Sequence, residues 1–245
     1  MGNVTPQDLS DLISEEAWKP YAEFIEAIEE RGLNYCLGGG IAYSAYSYRK
    51  RPSKDVDLFI AQTELERYHD LLRERGFTDY FEHEPYDRSW IYRGYKDGVI
   101  LDLIWSLPNH RMRVDEDWFT KGRHIVLYGK ELPLIPIVEL IRSKIYVLQG
   151  DRCDWPDLIN VLYQEVETIP WDVLVDKMWP DEALLAGLIS VFIWLRPEYA
   201  EKIPEFVWTQ IGLCPPQGQP VREDRVNLLD TRHWFGPGYS ERRGK

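Results

Sequence analysis

Cysteine is scarce in this chain. Cys36, Cys153 and Cys214 are the only three in 245 residues, far apart and in no C-x-x-C arrangement. That excludes a disulfide framework and a zinc-binding or redox motif of the usual spacing, and predicts reduced, buried thiols in a cytoplasmic protein. The five histidines are equally scattered, with no metal-binding spacing. Long apolar runs are missing too. The longest, residues 183–195, is too short to cross a bilayer and reads as a buried helix, and the N-terminus carries no signal-peptide core. No membrane partner is therefore expected. There is no G-x-x-x-x-G-K-[ST] loop and no kinase motif set, which removes the commonest triphosphate-binding arrangements. Positive charge is short as well: 29 Lys and Arg against 41 Asp and Glu, a net charge of −12. Proteins that grip long nucleic-acid duplexes are more often basic. RNA held on a local basic patch stays open, while a cationic small substrate suits an acidic cleft.

What is present fits a globular protein large enough to build a real core, with 44% hydrophobic and 29% charged residues. Apolar residues at helical spacing predict a helix within residues 6–31, stopped by Gly32. A short strand over 35–37 leads into a helix over 40–48. A strand over 55–60 precedes a helix opened by the Thr63–Glu66 capping box and ending near Gly76. Two strands, 89–93 and 99–105, flank the turn Tyr95-Lys96-Asp97-Gly98, since Asp-Gly between apolar runs is a hairpin signal. A second hairpin is expected over 124–134 across Gly129-Lys130. From Pro136 the period becomes helical, with further helices from Asp154 and over 171–178, 181–195 and 198–210. The expectation is an α+β chain: a catalytic domain over 1–134 with a mixed sheet and flanking helices, a helical subdomain over 135–213, and a C-terminal tail over 214–245.

The chemistry-bearing stretch is YCLGGGIAYSAYSYRKRPSKDVDLFI, residues 35–60. A strand runs into Gly38, Gly39 and Gly40 at the start of a helix, where backbone N–H groups can approach phosphate. Asp55 and Asp57 follow on a strand, two residues apart, so both carboxylates share one face while Val56 and Leu58 face the other way. Close carboxylates repel unless a cation lies between them, and Mg²⁺ is the natural oxygen-ligated ion. A third carboxylate, Asp102, lies in the apolar run Val99–Trp105, where an unpaired charge is costly. A phosphate cradle beside metal-binding carboxylates points to chemistry on a nucleoside triphosphate.

These residues resemble the signature of the DNA polymerase β-type nucleotidyltransferase superfamily: an apolar strand, a Gly-Gly pair, a spacer (residues 41–54), Asp-x-Asp, then a later strand Asp. The form Gly39-Gly40-Ile41-Ala42 is similar to the branch that holds antibiotic nucleotidyltransferases and nucleotidyltransferase toxins. The resemblance spans residues 30–165. It implies that Asp55, Asp57 and Asp102 are catalytic and bind Mg²⁺, with Asp102 as base or orienter of the acceptor hydroxyl. It implies nucleotide contacts from Gly38, Gly39, Gly40, Ser53 and Lys54, and from Lys144 on the helix after Pro136. The expected reaction is transfer of NMP from an NTP, ATP first, to a hydroxyl of a small molecule with release of pyrophosphate. The alternatives are a toxin-like enzyme modifying tRNA or protein, and a non-catalytic descendant that binds nucleotide or a partner. The intact Asp55, Asp57 and Asp102 count against the last.

Overall fold

A computed structural model describes residues 6–216 together with Gly218, Arg225, Leu228, Leu229, Trp234 and Phe235. Most of the expected tail over 214–245 thus lies outside the described residues. By its contacts the chain falls into two compact units, one built from Met1–Ala45 and Arg51–Pro136, the other from Tyr46–Lys50 and Ile137–Lys245.

The described part of the first unit runs β1 (Gln7–Asp8), α1 (Glu15–Glu30), β2 (Tyr35–Leu37), α2 (Gly39–Ala45), β3 (Asp55–Ile60), α3 (Leu65–Glu74), β4 (Thr78–Asp79), β5 (Ile91–Lys96), β6 (Val99–Ile104), α4 (Asp117–Thr120), β7 (His124–Leu127) and β8 (Lys130–Pro133). Five strands form a mixed sheet in the order β2-β3-β6-β5-β4. Its central pair, β3 and β6, is parallel, and its other pairs are antiparallel. A smaller sheet, β1-β7-β8, joins β2 through a parallel bridge between Leu37 and Leu134.

Strand alternation decides which side chains reach the core. Val56, Leu58 and Ile60 on β3, and Leu101 and Leu103 on β6, are all fully buried. Register pairs Val56 with Leu101 and Leu58 with Leu103, so these residues fill one face of the sheet. The acidic positions Asp55, Asp57 and Asp102 fall on the opposite face of the same two strands. Helix α1 packs on α3 and β6. Its apolar stripe, including Tyr21, Phe24 and Ile28, is buried, and Phe24 meets Phe77 edge-on at 5.5 Å between centroids.

The turns fix the register. Asp97 and Gly98 both have positive φ, 51° and 83°, the backbone of a two-residue type I′ hairpin loop. Tyr128 and Gly129 do the same between β7 and β8, at 50° and 80°. That second turn stands one residue earlier than the Gly129-Lys130 reading, because Lys130 is already paired with Leu127.

Helix α1, Glu15–Glu30, lies within the residues 6–31 expected to hold it, and at its start the Ser14 hydroxyl accepts from the Ala17 N–H at 3.3 Å. The residues before it are drawn into the small sheet, with Gln7 and Asp8 parallel to β7. The helix expected over 40–48 is shorter, Gly39–Ala45. The Thr63–Glu66 capping box is not used. Gln62–Glu64 forms a 3₁₀ turn, and α3 opens at Leu65 with Glu64 in the cap position and no side-chain cap bond. The single helix predicted over 198–210 is interrupted at Pro204, which has no N–H to give a helix. It becomes a 3₁₀ segment, Pro197–Lys202, followed by a short helix.

In the second unit the helices are α5 (Ile137–Ile145), α6 (Trp155–Glu165), α7 (Trp171–Met178), α8 (Glu182–Leu195) and α9 (Glu205–Gln210). The apolar run read as a buried helix is α8, which packs against α5, α6 and α7 and fully buries Leu185, Leu188, Ile189 and Phe192. The buried Glu139 carboxylate is matched by two cations. Glu139 accepts from Arg142 at 2.6 Å and also from Lys177. Trp234 is buried, and the Phe235 ring lies 4.3 Å from that of Tyr163 on α6. Of the thiols expected to be buried, Cys36 is, whereas Cys153 and Cys214 are exposed.

Candidate active site

The glycine corner and the first aspartate strand are locked together. The Gly38 N–H donates to the Asp57 carbonyl at 2.9 Å, and the Gly38 carbonyl accepts the first α2 bond from Ala42 at 3.0 Å. Gly39 has φ +52°, a conformation that costs any residue with a Cβ. A Cβ there would also be driven into the Asp57 carboxylate, and one on Gly38 into the Phe59 ring. At Gly40 it would come to 3.2 Å from the Ser53 hydroxyl. So the Asp57 side chain rests in the notch left by a missing side chain. Ser53 closes the corner from the other side, its hydroxyl donating to the Asp55 carbonyl at 2.9 Å. Lys54 is exposed in the turn before β3.

Asp102 reaches the same place from the neighbouring strand. It is the direct register partner of Asp57 across the parallel β3–β6 pair. Partners in register project to one face, so Asp55, Asp57 and Asp102 share that side of the sheet. Asp55 and Asp57 are half-buried, whereas Asp102 is 2% exposed.

The burial of Asp102 is compensated by a residue the sequence reading did not single out. Arg93, opposite Asp102 on β5, grips its carboxylate with Nε donating to Oδ1 at 3.0 Å and to Oδ2 at 3.3 Å, and Nη2 donating to Oδ2 at 2.9 Å. Burial raises the proton affinity of Asp102 above the usual carboxylate range. Hydrogen bonding and charge from Arg93 oppose this, and Asp55 adds to it, with a net upward shift. A carboxylate of raised basicity in a sheltered place is suited to accept a proton.

Two neighbours register the combined charge of the three aspartates. The Arg93 guanidinium is held more firmly protonated, first by its bond to Asp102 and then, against burial, by the charges of Asp102, Asp55 and Asp57. The Tyr21 phenol, which donates to the Ile100 carbonyl at 2.8 Å, is pushed well above its ordinary range, first by burial and then by Asp55, Asp102 and Asp57. Tyr21 therefore stays a neutral donor under the site. Arg51 is a third residue that the pattern did not single out. Its guanidinium lies 5.0 Å from the centre of the Tyr43 ring, with Nη2 4.0 Å from where a Cβ of Gly40 would stand.

Lys144 belongs to the helical unit. It is buried, its Nζ donating to Asp154 at 2.8 Å and to Asp157 at 3.0 Å. Arg152 bonds Asp154 at 3.2 Å.

Asp55 and Asp57 offer hard oxygen donors on one face, and Asp57 sits in a notch that a Cβ would fill, a donor set that suits Mg²⁺ sharing its shell with phosphate oxygens. Among the described residues no group of three or more His, Cys, Asp or Glu side chains is gathered tightly enough to hold a metal by itself.

Known proteins bear on this arrangement. A family model described as "Nucleotidyl transferase of unknown function (DUF2204)" matches residues 17–179, a span that contains Asp55, Asp57, Asp102, Arg93 and the glycine corner. No curated protein matches the chain. Among solved structures, an antigenic nucleotidyltransferase-like protein from Paracoccidioides brasiliensis is 16% identical, with a TM-score of 0.50 over 80% of this chain and 98% of that one. The antibiotic-resistance factor ANT(2'')-Ia is 16% identical, with a TM-score of 0.45 over 75% of this chain and 96% of that one. The lincosamide antibiotic adenylyltransferase LnuA, solved with lincomycin bound, is 15% identical, with a TM-score of 0.42 over 61% and 96%. At 16% identity the likeness to the Paracoccidioides brasiliensis protein is one of fold alone.

Proposed function

The chain belongs to the family of nucleotidyl transferases of unknown function (DUF2204) that spans its residues 17–179, and from that premise we propose that it transfers NMP from an NTP to a hydroxyl of a small-molecule acceptor and releases pyrophosphate. The observation that carries this reading is the strand register. Asp57 faces Asp102 across a parallel pair, with Asp55 two residues along and the Gly38–Gly40 corner bonded to Asp57.

Asp55 and Asp57 would hold Mg²⁺. When bound, the ion neutralises triphosphate charge and stabilises the charge that gathers on the leaving oxygen. The first N–H groups of a helix have no intrahelical partner, so the backbone of Gly39 and Gly40 supplies donors for phosphate oxygens, with Ser53 and Arg51 beside them. Lys54, exposed at the same turn, adds positive charge on the approach. Asp102 takes the proton of the acceptor hydroxyl. That oxygen then bonds to the α-phosphorus, and the bond from the α-phosphorus to its bridging oxygen breaks, pyrophosphate leaving with the electron pair. The net charge of −12 favours a neutral or cationic acceptor over a polyanion such as RNA.

The direct test is to incubate the protein with each α-labelled NTP and a fractionated cell extract. Label is expected in a small-molecule fraction and to be lost with EDTA. Label in RNA or protein would redirect the acceptor assignment, and absence of transfer with every NTP would count against catalysis.

A further inference from the structure

The clamp on Asp102 separates the three aspartates into two kinds. Asp55 and Asp57 are half-buried on the strand that faces the glycine corner. Asp102 is buried, and a planar guanidinium holds it through both oxygens, at 3.0 Å, 3.3 Å and 2.9 Å. We propose that Arg93 is a positioning residue, which fixes the Asp102 carboxylate out of the coordination of the divalent ion, so that Asp55 and Asp57 alone carry the ion and Asp102 serves the acceptor hydroxyl. This rests on the nucleotidyltransferase reading above and assigns its division of labour.

Three observations support it. First, the hairpin register sets Arg93 directly opposite Asp102, so the pair is built into the sheet rather than formed by a passing surface contact. Secondly, a carboxylate has about four lone-pair directions. A guanidinium fork takes those on its own side with fixed geometry, leaving the remainder for one more donor, which an acceptor O–H supplies. Thirdly, among the described residues no three-carboxylate cage is gathered, whereas Mg²⁺ in triphosphate enzymes commonly takes one or two carboxylates and fills its shell with phosphate and water. The same clamp explains how a residue 2% exposed can be charged inside an apolar strand.

The test uses the full chain and Mn²⁺ as probe, followed by the electron paramagnetic resonance of free Mn²⁺ with each NTP present, alongside steady-state transfer. Asp55→Asn is expected to lose Mn²⁺ binding, and Asp102→Asn to keep wild-type Mn²⁺ affinity while losing transfer. Arg93→Lys keeps the charge but not the planar fork. It is expected to keep Mn²⁺ affinity and the KM for NTP while kcat falls by about 10²-fold, the scale of a misplaced catalytic group. Should Arg93→Lys fail to fold, the neutral pair Arg93→Gln with Asp102→Asn supplies a folded variant. It is expected to bind Mn²⁺ as wild type does. If Asp102→Asn or that neutral pair loses Mn²⁺ as completely as Asp55→Asn, Asp102 is a ligand and the proposal is overturned. A wild-type kcat in Arg93→Lys overturns it as well. Failure of the wild-type protein to bind Mn²⁺ with any NTP would instead remove the nucleotidyltransferase site itself, an outcome distinct from the other two.

Discussion

Replacing Asp55 and Asp57 together with asparagine is expected to abolish transfer, by at least about 10³-fold, given that metal-stabilised charge is worth several kcal/mol of barrier. The fold should survive. Asparagine keeps the shape of aspartate, and the two side chains are only half-buried on β3, while the apolar face of that strand, Val56, Leu58 and Ile60, is untouched. The stability change is informative in its own right. Asp55 and Asp57 share a face with each other and with Asp102, and like charges so placed repel in the absence of a cation. Neutralising two of them removes that repulsion, so the melting temperature is expected to hold or rise as activity disappears. A residue kept for chemistry at the expense of stability behaves in this way. A large fall in melting temperature with the loss of activity would instead mark the pair as structural, and retained activity would remove it from the mechanism.

Gly39→Ala should have the next largest effect, for two separable reasons. The backbone there has φ +52°, which costs an L-residue about 1–2 kcal/mol. In addition the new methyl would displace the Asp57 carboxylate from its notch, and a shift of about 1 Å in a catalytic group can cost about 10²-fold in rate. Gly32 provides the comparison. It too has positive φ, +62°, but a Cβ there meets nothing within 4 Å. Gly32→Ala is therefore expected to lower the melting temperature and leave kcat unchanged, whereas Gly39→Ala lowers both. Equal kcat for the two variants would mean that the notch at Gly39 does not hold the Asp57 side chain in place.

The sequence revealed more of the site than of its supports. The i, i+2 spacing of Asp55 and Asp57 dictates a shared face whatever the rest of the fold does, and three consecutive glycines at a strand–helix junction imply close backbone approach. Asp102 was legible because a charge amid Val99–Trp105 needs a reason to be there. Its partner was hidden by a single step of register. A turn drawn over Tyr95–Gly98, with Lys96 and Asp97 at its centre, would set Asp102 against Ile91. The two-residue loop at Asp97-Gly98 instead sets it against Arg93. A hairpin slip of one position in the turn moves every cross-strand partner, so Arg93 follows from the sequence only once the I′ geometry is chosen. Lys144 shows the opposite difficulty. Its place on the helix after Pro136 was legible, but the carboxylates it meets, Asp154 and Asp157, come from the start of the following helix, and periodicity does not report such encounters. The same holds for Tyr21, legible as part of the apolar stripe of α1 but not as the phenol beneath three aspartates. Strand β1 was hidden because Gln7 and Asp8 pair with a strand more than a hundred residues away.

A crystal of the protein grown with Mn²⁺ and a non-hydrolysable NTP analogue, measured at the manganese absorption edge, addresses the metal assignment most directly. The expected map has an anomalous peak bonded to the carboxylates of Asp55 and Asp57, with triphosphate oxygens on its far side resting against Gly38–Gly40. A peak elsewhere, or a nucleotide bound away from that corner with the two aspartates facing no ion, would contradict the assignment.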